Sequence, residues 1–180
     1  MAVPRTFLRT SAISPDERWC VTFGLTGASV LWDRLALTRT NLGVNLRQTS
    51  GASFSPDGKT FAVVSWLGIG KVWSIDPPHE LWTLRGFLLG IDSVAFSADG
   101  SRIAAGSGGK EVLKLWDVAS HQEVLTLEAE GSTYYQTAFS ADGHVLGSRN
   151  ALGVLHLWRA PSWEEINAAE AREKAEANQP

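Results

Sequence analysis

Cysteine, basic charge and long apolar runs are all scarce in this 180-residue chain, and each scarcity closes off a class of function. The single cysteine, Cys20, has no internal partner, so no disulfide framework holds the fold. It sits in an apolar run, which predicts a buried thiol. No CxxC pair and no Cys/His cluster with metal-ligand spacing occurs. Lysine and arginine total 16 against 19 aspartate and glutamate, a net charge of −3. A nucleic-acid or anionic-membrane surface needs a basic excess, so neither partner is expected. No run approaches the roughly 18–20 apolar residues of a membrane span, and Met1 to Phe7 lack the apolar core of a signal peptide. The expected setting is cytoplasmic and reducing. With 44% hydrophobic and 19% charged residues, the composition is that of a globular domain able to bury a core.

Tryptophan, by contrast, is abundant, and four of the eight are regularly placed. Trp32, Trp73, Trp116 and Trp158 are spaced by 41, 43 and 42 residues. A second marker precedes each: Ser14-Pro15-Asp16-Glu17, Ser55-Pro56-Asp57-Gly58, Ser97-Ala98-Asp99-Gly100 and Ser140-Ala141-Asp142-Gly143, with its Asp 16, 16, 17 and 16 residues ahead of the Trp. Two motifs holding register through four copies define a repeat architecture. Each copy reads alike. An alternating apolar run (Ser93 to Phe96) enters the marker, where Asp caps its own backbone and Gly takes positive φ. A second short apolar run follows (Arg102 to Gly106, Thr60 to Val64). A Gly-containing turn leads to a third strand ending in the Trp (Val112 to Asp117), and a fourth run (Glu123 to Leu127) leads to the next copy. Helical periodicity is missing throughout these copies, and four short strands per forty-odd residues make one blade of a propeller.

The Ser-Pro-Asp-Gly turn, the Trp-Asp pairs at Trp32-Asp33 and Trp116-Asp117, and the period together resemble the WD-repeat family over about residues 5 to 160. The resemblance implies an all-β fold of β-propeller blades, each of four antiparallel strands, in about four WD-type repeats that make a partial or half propeller. It places blades at about 8–48, 49–90, 91–133 and 134–160. The sequence also departs from the family. Gly86-Phe87 stands where a Gly-His pair is usual. The Asp six residues before the Trp is replaced by Thr26, Leu67, Lys110 and Leu152. The family's buried hydrogen-bond network is therefore incomplete, with Ser65, Ser107 and Ser148 left as candidate partners for the Trp N–H groups. The expected blades are divergent and held mainly by apolar packing.

Four copies fall short of the roughly seven blades that the resemblance implies for a closed ring, and the fourth stops after its third strand. Three closures stay open: the C-terminal part of a longer propeller with further blades upstream, two self-associating half-rings, or a four-bladed ring. After Pro161, the Ser162-Trp163-Glu164-Glu165 capping box and the Ala/Glu-rich stretch to about Asn178 predict a short C-terminal α-helix within 161–180, clipped onto the last blade by Trp163 and Ile166.

No catalytic constellation assembles. His79, His121, His144 and His156 fall in different contexts, and His156 is read as facing solvent or a following blade. The marker carboxylates recur because the turn needs them. The Gly106-Ser107-Gly108-Gly109-Lys110 run lacks the helix that a phosphate loop requires. Catalytic residues, cofactor and metal are all expected to be absent. The expected function is a non-enzymatic scaffold binding proteins or peptides on a loop-bearing face, with the regulatory portion of a larger multidomain protein such as a kinase as the alternative. By the resemblance, that face is formed by the turns between strands two and three and by the links between blades. The first class carries Trp66, Lys110, Glu111, Arg149 and Asn150. The second carries Arg47, Phe87, Leu88, Leu89, Tyr134 and Tyr135. Trp66 leads because four other tryptophans already fill the repeated core position. Trp19 and Trp82 are read as packing between blades.

Overall fold

The computed structural model describes residues 8–129 and 132–160, and among them there is no helix. The expected C-terminal helix lies outside the described residues. The strands fall into four antiparallel sheets that follow chain order. Blade 1 comprises β1 (Leu8–Ile13), β2 (Trp19–Gly24), β3 (Ser29–Asp33) and β4 (Thr38–Asn41). Blade 2 comprises β5 (Thr49–Phe54), β6 (Thr60–Ser65), β7 (Gly70–Ile75) and β8 (Pro78–Leu84), and blade 3 comprises β9 (Ile91–Phe96), β10 (Arg102–Ser107), β11 (Glu111–Asp117) and β12 (Glu123–Glu128). The fourth sheet has three strands among the described residues: β13 (Tyr134–Phe139), β14 (Val145–Asn150) and β15 (Leu155–Arg159). The first strands of successive blades, β1, β5, β9 and β13, lie side by side.

Each marker builds the same turn between a blade's first two strands. The Ser hydroxyl donates to the Asp two residues on at 2.5–2.6 Å. The Asp carboxylate accepts a backbone N–H two residues further at 3.0–3.1 Å. The Ser oxygen accepts the N–H five residues on at 2.9–3.1 Å. The last marker residue takes positive φ, natural for Gly58 (69°) but adopted by Glu17 (57°) in the first copy. These donors hold all four carboxyls below the ordinary value. Asp99 goes furthest, to about 2, through the Ser97 hydroxyl and then the Ser101 backbone and side chain.

The blades stack through a repeated junction. The Trp-bearing face of each blade packs on the opposite face of the blade before it. Phe54, Phe61, Val63 and Trp73 of blade 2 meet Val21, Phe23 and Leu31 of blade 1. Phe96, Ile103, Ala105 and Trp116 of blade 3 meet Ala62, Val64, Val72 and Leu84 of blade 2. Tyr134, Leu146 and Trp158 meet Ala104, Val112 and Leu113 in the same way. Trp19 and Trp82 pack at the edges of the first two clusters.

The serines suggested for the tryptophans serve elsewhere. Ser65 and Ser107 donate to the carbonyls of Arg47 and Gly90, and Ser148 to that of Gln136, each at 2.7 Å. For Ser65 and Ser107 the reason is register. Trp73 pairs with Phe61, at the far end of β6 from Ser65, a separation of about 13 Å. The same-face position two residues after the Trp partner is what reaches the ring. In blade 1 it is Thr22, which accepts Trp32 Nε1–H at 3.0 Å. In blade 2 it is Val63, and Trp73 Nε1 is buried without a hydrogen-bond partner among the described residues; in blade 4 it is Ser148.

Among the described residues, nothing covers the two end faces. Ile13 is 65% exposed on blade 1, and Leu157 is 64% exposed on blade 4, so the end blades do not close on each other. Cys20 lies half-buried on the blade 1 face rather than fully buried, since no sheet covers it; burial still pushes its thiol up. His156 faces the preceding blade, stacked on Trp158 at 5.8 Å with Tyr134 edge-on at 5.4 Å. Strand alternation puts residues 156 and 158 on one face, which leaves Leu155 and Leu157 on the solvent side.

Two outcomes follow from these contacts. Stability carried by the depressed marker carboxylates is present above the ordinary value of 3.8 and lost as pH falls towards 2. Melting temperature is expected to drop across that window, and Asp99→Asn to flatten the drop. Val63→Thr supplies the acceptor that Trp73 lacks, so thermal melts should show it tolerated better than the equally buried Val64→Thr by about 1 kcal/mol.

Candidate functional site

Antiparallel order brings the β2–β3, β6–β7, β10–β11 and β14–β15 turns to the same end of the sheets as the links between blades. Three backbone hydrogen bonds tie the turns to those links: Trp66 N–H to Gln48 O at 3.1 Å, Ala129 N–H to Lys110 O at 3.3 Å and Ala151 N–H to Thr133 O at 2.8 Å. The approach is closest beneath Trp66. A Cβ on Gly90 would stand 2.5 Å from the Trp66 carbonyl oxygen, so only glycine lets the β8–β9 link pass under that turn.

Trp66 joins three blades. Its ring is 44% exposed, with the Arg9 guanidinium of β1 over it at 4.1 Å. Its indole N–H donates to Asp92 Oδ1 of β9 at 2.6 Å. Burial raises the Asp92 carboxyl above its ordinary value, and the indole hydrogen bond works against that rise.

Arg9 and Asp92 share a structural position that the sequence reading missed. Each first strand skips one residue in its pairing with the second: between Leu8 and Thr10, Thr49 and Gly51, Ile91 and Ser93, and Tyr134 and Gln136. The skipped residues are Arg9, Ser50, Asp92 and Tyr135. Such a bulge re-aims its side chain. Ser50, Asp92 and Tyr135 line an open axial cavity of about 440 Å³, bounded by β1, β5, β9 and β13, with Ser93, Gln136 and Thr10 among its walls. The available signal was the spacing of the four positions, 41, 42 and 43 residues, but their differing side chains conceal it.

The other sequence-selected residues divide by exposure. Arg47, Lys110 and Arg149 are exposed, and Tyr135 is 54% exposed. Phe87 is half-buried, its ring 5.7 Å from Trp116 with Lys114 Nζ 5.8 Å away. Tyr134 and Asn150 are buried at 0% and 3%. Tyr134 hydrogen-bonds Asn150, and burial raises its hydroxyl. The Asn150 carboxamide oxygen accepts the N–H groups of Leu152 and Val154 at 3.0 Å, shaping the β14–β15 turn. The face thus gathers Trp66, Tyr135 and several cations at the surface, with Phe87, Tyr134 and Asn150 beneath it. Among the described residues, no three His, Cys, Asp or Glu side chains are grouped to hold a metal ion.

Replacing Gly90 by Ala forces the Trp66 turn outwards. Thermal denaturation should register a loss of about 1–3 kcal/mol.

Residues 79–117 match the family model described as WD domain, G-beta repeat. The match runs from β8 of blade 2 to the Trp116-Asp117 end of β11, so one sequence unit straddles two sheets. The chain is similar to Transducin beta-like protein 3 of Bos taurus, 24% identical over 168 residues, which are 92% of this chain and 21% of that protein. It is similar to Transcription initiation factor TFIID subunit 5 of Caenorhabditis elegans, 27% identical over 124 residues, 69% of this chain and 19% of that protein. A third match, 27% identical over 101 residues, is to the Periodic tryptophan protein 2 homolog of Schizosaccharomyces pombe, covering 56% of this chain and 12% of the relative. The chain therefore spans about a fifth or less of the length of these relatives. Residues 79–117 are thus matched as a WD repeat, and the fourfold Trp register and the stacked antiparallel sheets carry the same pattern along the described residues.

Proposed function

We propose that the chain is a non-catalytic scaffold that holds a protein or peptide on its loop face. The observation that carries this reading is the apolar and aromatic surface raised there on a braced frame. Trp66 stands between Arg9 and Asp92. Around it, Leu67, Leu88 and Leu89 are 56%, 89% and 54% exposed, and Tyr135 projects at the axial cavity. Contiguous apolar surface of this kind, rimmed by polar groups, marks interaction sites. Aromatic and Arg side chains supply most of the binding energy at such sites. Arg9, Arg47, Lys110 and Arg149 on the same face favour a partner that presents carboxylates. Trp66 and Tyr135 act as the apolar contacts, with Arg47, Lys110 and Arg149 as the rim. Phe87, Tyr134 and Asn150 act from below by fixing the loops.

The full chain, immobilised and exposed to extract, is expected to retain a partner. Trp66→Ala and Tyr135→Ala should each weaken that retention about tenfold or more in a titration. Undiminished recovery with both variants would remove these residues from the contact set.

A further inference from the structure

The two open ends of the stack are a mating pair when compared position by position with the internal junctions. On blade 1, Ile13, Cys20 and Trp32 stand where blade 2 has Phe54, Phe61 and Trp73. Those three pack on the preceding blade and are 8%, 0% and 7% exposed. The blade 1 face instead holds an apolar hollow of about 470 Å³, bordered by Ile13, Cys20, Trp32 and Leu37. On blade 4, Gly147 and Leu157 stand where blade 2 has Ala62 and Val72. That pair carries the following blade and is 0% and 1% exposed. Leu157 and its neighbour Leu155 stand over Gly147 at 64% and 60% exposure. One end therefore offers the hollow that accepts a preceding blade, and the other offers the apolar ridge that a preceding blade presents.

We propose that a second copy of this chain covers both ends. Blade 4 of one copy docks on blade 1 of the other, and the reciprocal contact closes the pair. Each contact repeats the junction that already joins the blades inside the chain. The contact is between unlike surfaces, which gives a closed assembly when the rotation returns on itself. Once the first contact forms, the second is intramolecular and benefits from high effective concentration. Within one copy the ends cannot satisfy each other, because both stay exposed.

Size-exclusion chromatography with light scattering on the full chain tests this directly. The expected mass is twice the 19.5 kDa of the chain. Leu157→Arg and Ile13→Arg each spoil one end at an exposed position, so circular dichroism should stay that of the parent while the mass falls to that of one chain. Leu155→Glu serves as a second lesion of the ridge. Mixing the Leu157→Arg and Ile13→Arg chains restores one intact junction, from the sound hollow of the first and the sound ridge of the second, so the mixture should associate again. A single-chain mass for the parent, a pair that survives the Arg variants, or a mixture that stays apart would overturn the proposal.

Discussion

The middle strands of the internal blades are apolar on both faces, and the stack depends on this constraint. In β6, Phe61, Ala62, Val63 and Val64 are all fully buried, as are Ile103, Ala104 and Ala105 in β10. A strand of this kind cannot be half-solvated, so each blade needs a neighbour on either side. The two faces also differ, one carrying the tryptophan and the other smaller side chains. That polarity fixes the direction of stacking and makes every junction a version of the same contact.

The loop face follows from that stack. Because first strands lie side by side, bonds run from blade to blade near the axis: Ser50 donates to the Ile91 carbonyl, and Ser93 to the Tyr134 carbonyl at 3.1 Å and also bonds Thr137. Trp66 then reaches across to Arg9 and Asp92 from a turn seated on Gly90. Trp66, the largest side chain exposed on this face, is thus braced by two neighbouring blades, and such bracing lowers the conformational entropy a side chain has to lose in any contact.

Features that repeat in residue type were legible in the sequence. The Trp spacing and the Ser-Asp markers located the strands and turns because the same side chains meet the same hydrogen-bonding need in every copy. Features set by register were not. Ser65 and Ser107 looked suitable for the tryptophans until pairing placed them at the opposite end of the sheet. Tyr134 and Tyr135 are adjacent and chemically alike, yet one is buried and the other projects at the axial cavity, because the pairing skips residue 135. His156 was read outward from the leucines beside it, whereas its shared face with Trp158 governs. The orphaned Trp73 N–H likewise depends on which residue of β6 lies diagonally opposite, and a sequence does not announce that.

The skipped positions in the first strands have a consequence for how such a surface diversifies. A bulged residue has no cross-strand partner, so its side chain contributes little to the sheet that carries it. Arg9, Ser50, Asp92 and Tyr135 show the range already: a cation, a hydroxyl, an anion and a phenol occupy one equivalent site in four blades whose cores obey common rules. Substitution at these positions changes the chemistry displayed at the axis with little effect on the pairing inside a blade, although at Arg9, Ser50 and Asp92 it also alters a contact to another blade.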